Sequence, residues 1–109
     1  MTLNNSDIVK TQIHSGGIFR IILNNPKKHN VLSEDMMLNI QAALNSTINN
    51  NKIRVIIISA EGKTFSAGHD LKELKEGRKN PDKGKKYFQK IMTQCSKLMK
   101  SIVNNPKPV

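Results

Sequence analysis

The sequence predicts an α/β fold, and three observations carry that reading. Strand-like segments flank a Ser15-Gly16-Gly17 turn signal, and an unbroken β-branched run, Val55-Ile56-Ile57-Ile58, follows later. Two further stretches repeat apolar residues every three or four positions, the period of an amphipathic helix. The chain has 109 residues, enough for one small domain that buries only about two-thirds of its unfolded surface.

Taken in order, Asp7 to His14 alternates as a strand, with Ile8, Gln12 and His14 on one face and Val9, Thr11 and Ile13 on the other. The turn at Ser15-Gly16-Gly17 leads into a second strand, Ile18 to Leu23, and the two form a hairpin. Asn24 to Asn30 is a loop, because Pro26 has no N–H to give a ladder and asparagine tolerates turn geometry. Ser33 caps a helix whose first turn holds Glu34 and Asp35, where the helix dipole favours negative charge. Met36, Met37, Ile40, Ala43, Leu44 and Ile48 mark its apolar face, and the helix extends to about Thr47 before Asn49-Asn50-Asn51 ends it.

Val55 to Ile58 has the pattern of a strand covered on both faces. A glycine turn at Glu61-Gly62 and a short extended Lys63-Thr64-Phe65 follow. Small residues at Ser66-Ala67-Gly68 then lead into a segment of helical composition from Asp70 to Leu74, and Gly77 to Gly84 breaks regular structure. A long helix is expected from about Lys85 to Val103, with Tyr87, Phe88, Ile91, Met92, Cys95, Leu98, Met99 and Ile102 forming a wide apolar stripe. Asn104-Asn105-Pro106 stops it, and Lys107-Pro108-Val109 reads as the start of another extended segment. A doubly covered central strand needs more layers than these elements supply, so the pattern reads as a truncated chain.

Composition narrows the function classes. No apolar run approaches the roughly 18–20 residues of a membrane span, which excludes a transmembrane helix. Met1 to Asp7 lacks the basic head and apolar stretch of a signal peptide and the arginines of a transit sequence. One cysteine, Cys95, excludes an internal disulfide framework and fits a reducing compartment; in its apolar stripe it reads as a packed thiol. The net charge is +10, and Lys72 to Lys90 alone holds eight basic residues against three acidic ones. Such a cluster suits a polyanion, while composition alone reads it as a solvated lysine-rich face. A nucleic-acid-binding module would need exposed aromatic stacking surfaces, whereas Tyr87 and Phe88 lie in the helical stripe.

Metal-ligand spacing, a nucleophile elbow, a phosphate loop and a dinucleotide glycine fingerprint are all absent from the sequence, and His14, His29 and His69 are scattered. What remains is the stretch from Lys63 to Lys72: a strand end, a turn of small residues and a helix start. Free N–H groups at such a place can bind an oxyanion, and Ser66, Ala67 and Gly68 let a ligand approach the main chain. On spacing alone it reads as an ordinary strand-to-helix turn.

Four segments, in order, carry a resemblance. Phe65-Ser66-Ala67-Gly68-His69-Asp70-Leu71-Lys72 resembles the F-x-A-G-x-D-[LI]-K stretch of the enoyl-CoA hydratase/isomerase (crotonase) family. Leu23 to Ser33 is similar to its L-N-x-P-x-x-x-N-A-L loop, Ile53 to Gly62 to its following strand and turn, and Asn105-Pro106-Lys107-Pro108-Val109 to the approach to its next strand. The resemblance runs from about residue 8 to the end and matches the first part of the family's domain. It implies a ClpP/crotonase-type spiral of β-β-α units, N-terminal portion only, with residues 1–109 as the N-terminal part of an acyl-CoA-binding domain.

Roles follow from the resemblance residue by residue. The backbone N–H of His69 is implied as one of two oxyanion-hole donors, gripping a thioester oxygen as it gains enolate charge. Ser66, Ala67, Asp70 and Leu71 would line the acyl-CoA, Lys72 would face the nucleotide phosphates, and Lys28 and His29 would flank the adenine or pantetheine. No metal or separate cofactor is implied, since coenzyme A belongs to the substrate. A full-length parent would hydrate a trans-2-enoyl-CoA in fatty acid metabolism, as a homo-trimer or hexamer, with no nucleic acid or membrane partner. It would reside in the cytoplasm, or in the mitochondrial matrix in a eukaryote. The family's second oxyanion donor and its acid/base glutamates have no counterpart within these residues. Glu34, Glu61, Glu73 and Glu76 occupy no family catalytic position and read as solvated surface groups. A non-catalytic remnant or interaction protein of the same fold is therefore the alternative.

Overall fold

The computed structural model describes residues 2–5 and 8–109. Four strands form one sheet in sequence order: β1 (Thr2–Asn5), β2 (Val9–His14), β3 (Ile18–Leu23) and β4 (Val55–Ala60). Strand β1 lies against β2 and was not foreseen, because Asn4 and Asn5 have poor strand propensity. Asp7, where the first predicted strand begins, lies outside the described residues. The expected hairpin is present, with β2 and β3 antiparallel from Val9↔Leu23 to His14↔Ile18. Its turn requires glycine at position 17: φ is +81°, and a Cβ there would come 2.8 Å from the Lys52 carbonyl oxygen.

The next step is a β-α-β crossover. Helix α1 (Glu34–Thr47) carries the chain from β3 to a parallel β4, in register from Ile18↔Val55 to Leu23↔Ala60. The Ser33 hydroxyl accepts the Met36 N–H at 3.1 Å, so the predicted cap operates. Met36, Met37, Ile40, Ala43 and Leu44 bury against Val9, Phe19, Ile21, Leu23 and Ile56, which places the core between α1 and one face of the sheet. Helices α2 (Leu71–Gly77) and α3 (Lys85–Val103) complete the chain, and α3 contributes Ile91 and Leu98 to the same core.

In this sheet β4 is an edge strand, with Ile56 buried and Ile57 38% exposed, so the second cover that its pattern calls for is not supplied by the elements described. A β-branched run reports strand propensity; the number of layers around it depends on partners elsewhere. Lys63 to Phe65 is irregular rather than extended, because the carbonyl of Thr64 is taken by the Asn30 side chain instead of a neighbouring strand. The stripe on α3 is only half covered: Tyr87, Met92, Cys95 and Ile102 pack against the core, while Phe88 and Met99 are exposed.

Beyond α3 the Lys107 ammonium donates to the carbonyls of Thr47 and Asn50, capping the C-terminal end of α1 where the dipole favours a cation. Residues 107–109 form no strand, yet the Pro108 carbonyl accepts the Ile56 N–H at 2.9 Å on the open edge of β4. Among the described residues no helix is long and apolar enough to cross a membrane, and no group of three or more His, Cys, Asp or Glu could hold a metal ion.

Candidate active site at the turn before α2

The loop after β3 and the loop after β4 meet, and one asparagine joins them. Asn30 is fully buried with φ at +52°, a left-handed conformation that asparagine tolerates better than most residues. Its Oδ1 accepts the Asn25 N–H at 2.7 Å, and its Nδ2 donates to the carbonyls of Glu61 and Thr64, each at 2.9 Å. Its Nδ2 thereby ties the loop after β4 to the loop after β3, and its Oδ1 braces the loop after β3 from within.

The turn of small residues is zipped onto the segment 29–32. Ala67 N–H donates to the His29 carbonyl at 2.9 Å, the Ser66 hydroxyl to the Asn30 carbonyl at 2.8 Å, and Leu32 N–H to the Gly68 carbonyl at 2.7 Å. The Gly68 N–H in turn reaches the Ser66 oxygen at 3.2 Å. Of the amides at Ala67, Gly68 and His69, only that of His69 has no acceptor among the described residues. Gly68 sits at φ +87°, which a side chain would strain although a Cβ there meets nothing within 4 Å. The His69 ring is partly covered, and its Nδ1 has no hydrogen-bond partner.

Asp70 caps α2, its Oδ1 accepting the Lys72 N–H at 3.0 Å. Leu71 is 75% exposed, and Lys72 is exposed beside it on the first turn of α2. His29 is exposed next to the same turn, its Nδ1 3.2 Å from the Thr64 hydroxyl; Lys28 is exposed one residue earlier, on the 3-10 turn Pro26–Lys28. Ser66, Ala67, His69, Asp70, Leu71 and Lys72 thus run along the turn and the first turn of α2, and His29 meets them through its carbonyl on the Ala67 N–H; Ala67, Leu71, Lys72, His29 and Lys28 are exposed, while Ser66, His69 and Asp70 are half-buried. Grooves lie elsewhere on the described residues; one, about 670 Å³, runs between α1 and α3 past Leu44, Ile48, Met92 and Lys97.

Behind the turn is a polar cluster that sequence reasoning dismissed. Glu73 accepts the Glu34 N–H at 3.0 Å, while the Glu34 carboxylate accepts the Tyr87 hydroxyl at 2.9 Å and pairs with Lys90 at 2.8 Å. Glu34 and Glu73 are therefore not simply solvated: they tie the starts of α1 and α2 to α3. The bond from Lys90 holds the Glu34 carboxyl below its ordinary value, burial pushes Glu73 up, and burial with the Glu34 contact raises Tyr87. Glu61 and Glu76 are exposed, as expected, with Glu76 paired only to Lys79 on the surface. Asn30 and Leu32 were missed as residues that shape the turn, although Asn30 stands at a fixed place in the first loop motif.

The chain belongs to the enoyl-CoA hydratase/isomerase family, whose profile matches residues 18–109, and its fold is a portion of the crotonase fold. Among individual relatives, the human mitochondrial enoyl-CoA hydratase domain-containing protein 3 is 46% identical over 93 residues, 85% of this chain and 29% of that protein. The zebrafish protein of the same name is 39% identical over 109 residues, covering 100% of this chain and 36% of its own length. Among solved structures, that of the human protein superposes with a TM-score of 0.80 at 39% identity, covering 94% of this chain and 38% of the other. A Mycobacterium smegmatis enoyl-CoA hydratase superposes with a TM-score of 0.85 at 31% identity, over 95% and 38%. The chain thus spans about a third of the length of the curated relatives it matches.

Proposed function

We propose that this chain is the acyl-CoA-binding portion of an enoyl-CoA hydratase/isomerase-family protein, and that the whole protein hydrates trans-2-enoyl-CoA thioesters in fatty acid metabolism. The observation that carries the reading is the His69 N–H, which has no acceptor among the described residues, on a turn whose Ala67 and Gly68 amides are both bonded. A thioester carbonyl placed there gains negative charge as water adds across the conjugated bond, and a fixed donor lowers the energy of that oxyanion. Because the donor belongs to the main chain, the imidazole of His69 does not need to take part. Ser66, Ala67, Asp70 and Leu71 border the acyl thioester, and Lys72 takes the nucleotide phosphates. Lys28 and His29 flank the adenine or pantetheine, and the excess of lysine after Lys72 draws the polyanionic ligand in.

On this reading no metal or redox cofactor takes part, the acyl-CoA is the partner, and the whole protein is a trimer or hexamer. The names of the relatives support a mitochondrial location. Isothermal titration of the chain with crotonyl-CoA tests the proposal: binding that weakens with salt and weakens several-fold in Lys72→Glu is expected. Absence of binding, or binding indifferent to Lys72 and salt, would sink it.

A further inference from the structure

We infer that Ser66 is a positioning residue for the His69 amide, acting through the Gly68–His69 peptide; the inference rests on the acyl-thioester reading above. The Ser66 hydroxyl has one proton, and that proton is committed to the Asn30 carbonyl at 2.8 Å. The same oxygen accepts the Gly68 N–H at 3.2 Å. A thioester carbonyl and its sulfur offer only acceptors, so this hydroxyl has no donor left to give them. Its work is inside the turn.

That work has a direction. Gly68 is clamped at both ends, its N–H by Ser66 and its C=O by the Leu32 N–H at 2.7 Å. The peptide joining Gly68 to His69 is trans and planar, so its N–H points opposite its C=O. Fixing the carbonyl toward Leu32 therefore aims the His69 N–H away from the segment 29–32, toward the open surface. Polarisation by the Leu32 bond also makes that N–H a stronger donor. The remaining freedom is rotation about the Gly68 backbone, which at φ +87° has no side chain to restrain it. On the other side, the Ser66 bond to the Gly68 N–H restrains that rotation, next to the Ala67 amide held by the His29 carbonyl. Asn30 supports the device twice, by its carbonyl under Ser66 and by its amide across Glu61 and Thr64.

The test uses the 109-residue chain, labelled with ¹⁵N, as wild type, Ser66→Ala and Ser66→Thr. Without ligand, Ser66→Ala is expected to raise amide exchange at Gly68 by about fivefold or more, the ratio one net hydrogen bond carries, and to shift the His69 amide. Exchange in β3 and β4 stays at wild-type values, and Ser66→Thr, which keeps the hydroxyl, restores both signals. With crotonyl-CoA, the wild-type His69 amide proton moves downfield, and the movement falls several-fold in Ser66→Ala and returns in Ser66→Thr. Unchanged Gly68 exchange and an unchanged His69 signal in Ser66→Ala would overturn the positioning role. If Ser66→Ala loses its dispersed spectrum, Ser66→Cys is read in its place, since its weaker donor and acceptor predict the same shifts at smaller size. A wild-type His69 amide that ignores crotonyl-CoA would overturn the thioester reading, while the ligand-free exchange still decides the role of Ser66.

Discussion

Replacing Asn30 by alanine removes the joint between the two site loops, and its cost can be worked from the structure. Three side-chain hydrogen bonds are lost, to the Asn25 N–H and to the carbonyls of Glu61 and Thr64. At about 1 kcal/mol net each, they amount to about 3 kcal/mol. Alanine at φ +52° adds about 1 kcal/mol, since it lacks the short polar side chain that eases the left-handed region. The expected loss is about 4 kcal/mol, a large share of the roughly 5–15 kcal/mol of a typical domain. Urea unfolding followed by far-UV circular dichroism measures it as a lowered midpoint at unchanged slope. Asn30→Asp separates the contributions: it keeps an acceptor for Asn25 and tolerance of positive φ, but turns a carboxylate toward two carbonyl oxygens. It is expected to lose at least as much at neutral pH and to recover as the carboxyl protonates. A loss below about 1 kcal/mol for Asn30→Ala would refute the claim that this side chain holds the loops together.

Other outcomes follow from the same geometry. Ser33→Ala should cost about 1 kcal/mol by removing the cap on the Met36 N–H, measured in the same urea experiment. Glu34, lowered from its ordinary 4.5, gives stability that is complete above that pH and is lost as pH falls through its lower folded value. The advantage of wild type over Glu34→Gln should therefore shrink on acidification, by no more than about 1 kcal/mol because Lys90 is well exposed. Glu73 is raised, so its penalty is present at neutral pH and fades as pH falls through its folded value. If the motif resemblance holds and the acid/base glutamates it implies have no counterpart among these residues, the 109-residue chain should leave crotonyl-CoA unhydrated; enzyme-dependent loss of the conjugated-thioester absorbance would contradict this.

What the sequence made legible was whatever depends on near neighbours. The cap at Ser33, the hairpin around Gly17 and the limits of α1 and α3 are set by local chemistry, and they were read correctly. The edge position of β4 and the exposure of Phe88 depend on what packs from a distance, which no local pattern encodes. At the candidate site, the motif pointed to residues 66–72, but Asn30 was read only as a loop residue. Its importance lies in partners 31 and 34 positions away. The Glu34 cluster was missed for the same reason: a glutamate at a helix start looks solvated until Tyr87 and Lys90 arrive from 53 and more residues along the chain.

The most direct test of the account compares His69→Ala with His69→Pro in a hybrid, with this segment replacing the corresponding part of a complete enoyl-CoA hydratase. If the main-chain N–H is the oxyanion donor, alanine preserves it and should keep most of the turnover. Proline deletes it and should lower kcat by about 100- to 1000-fold, the loss expected for one such donor. Circular dichroism and coenzyme A affinity, measured on the same preparations, confirm that the proline variant is folded. A folded proline variant that turns over normally, or an alanine variant that loses activity while proline does not, would contradict the role given to the backbone of His69.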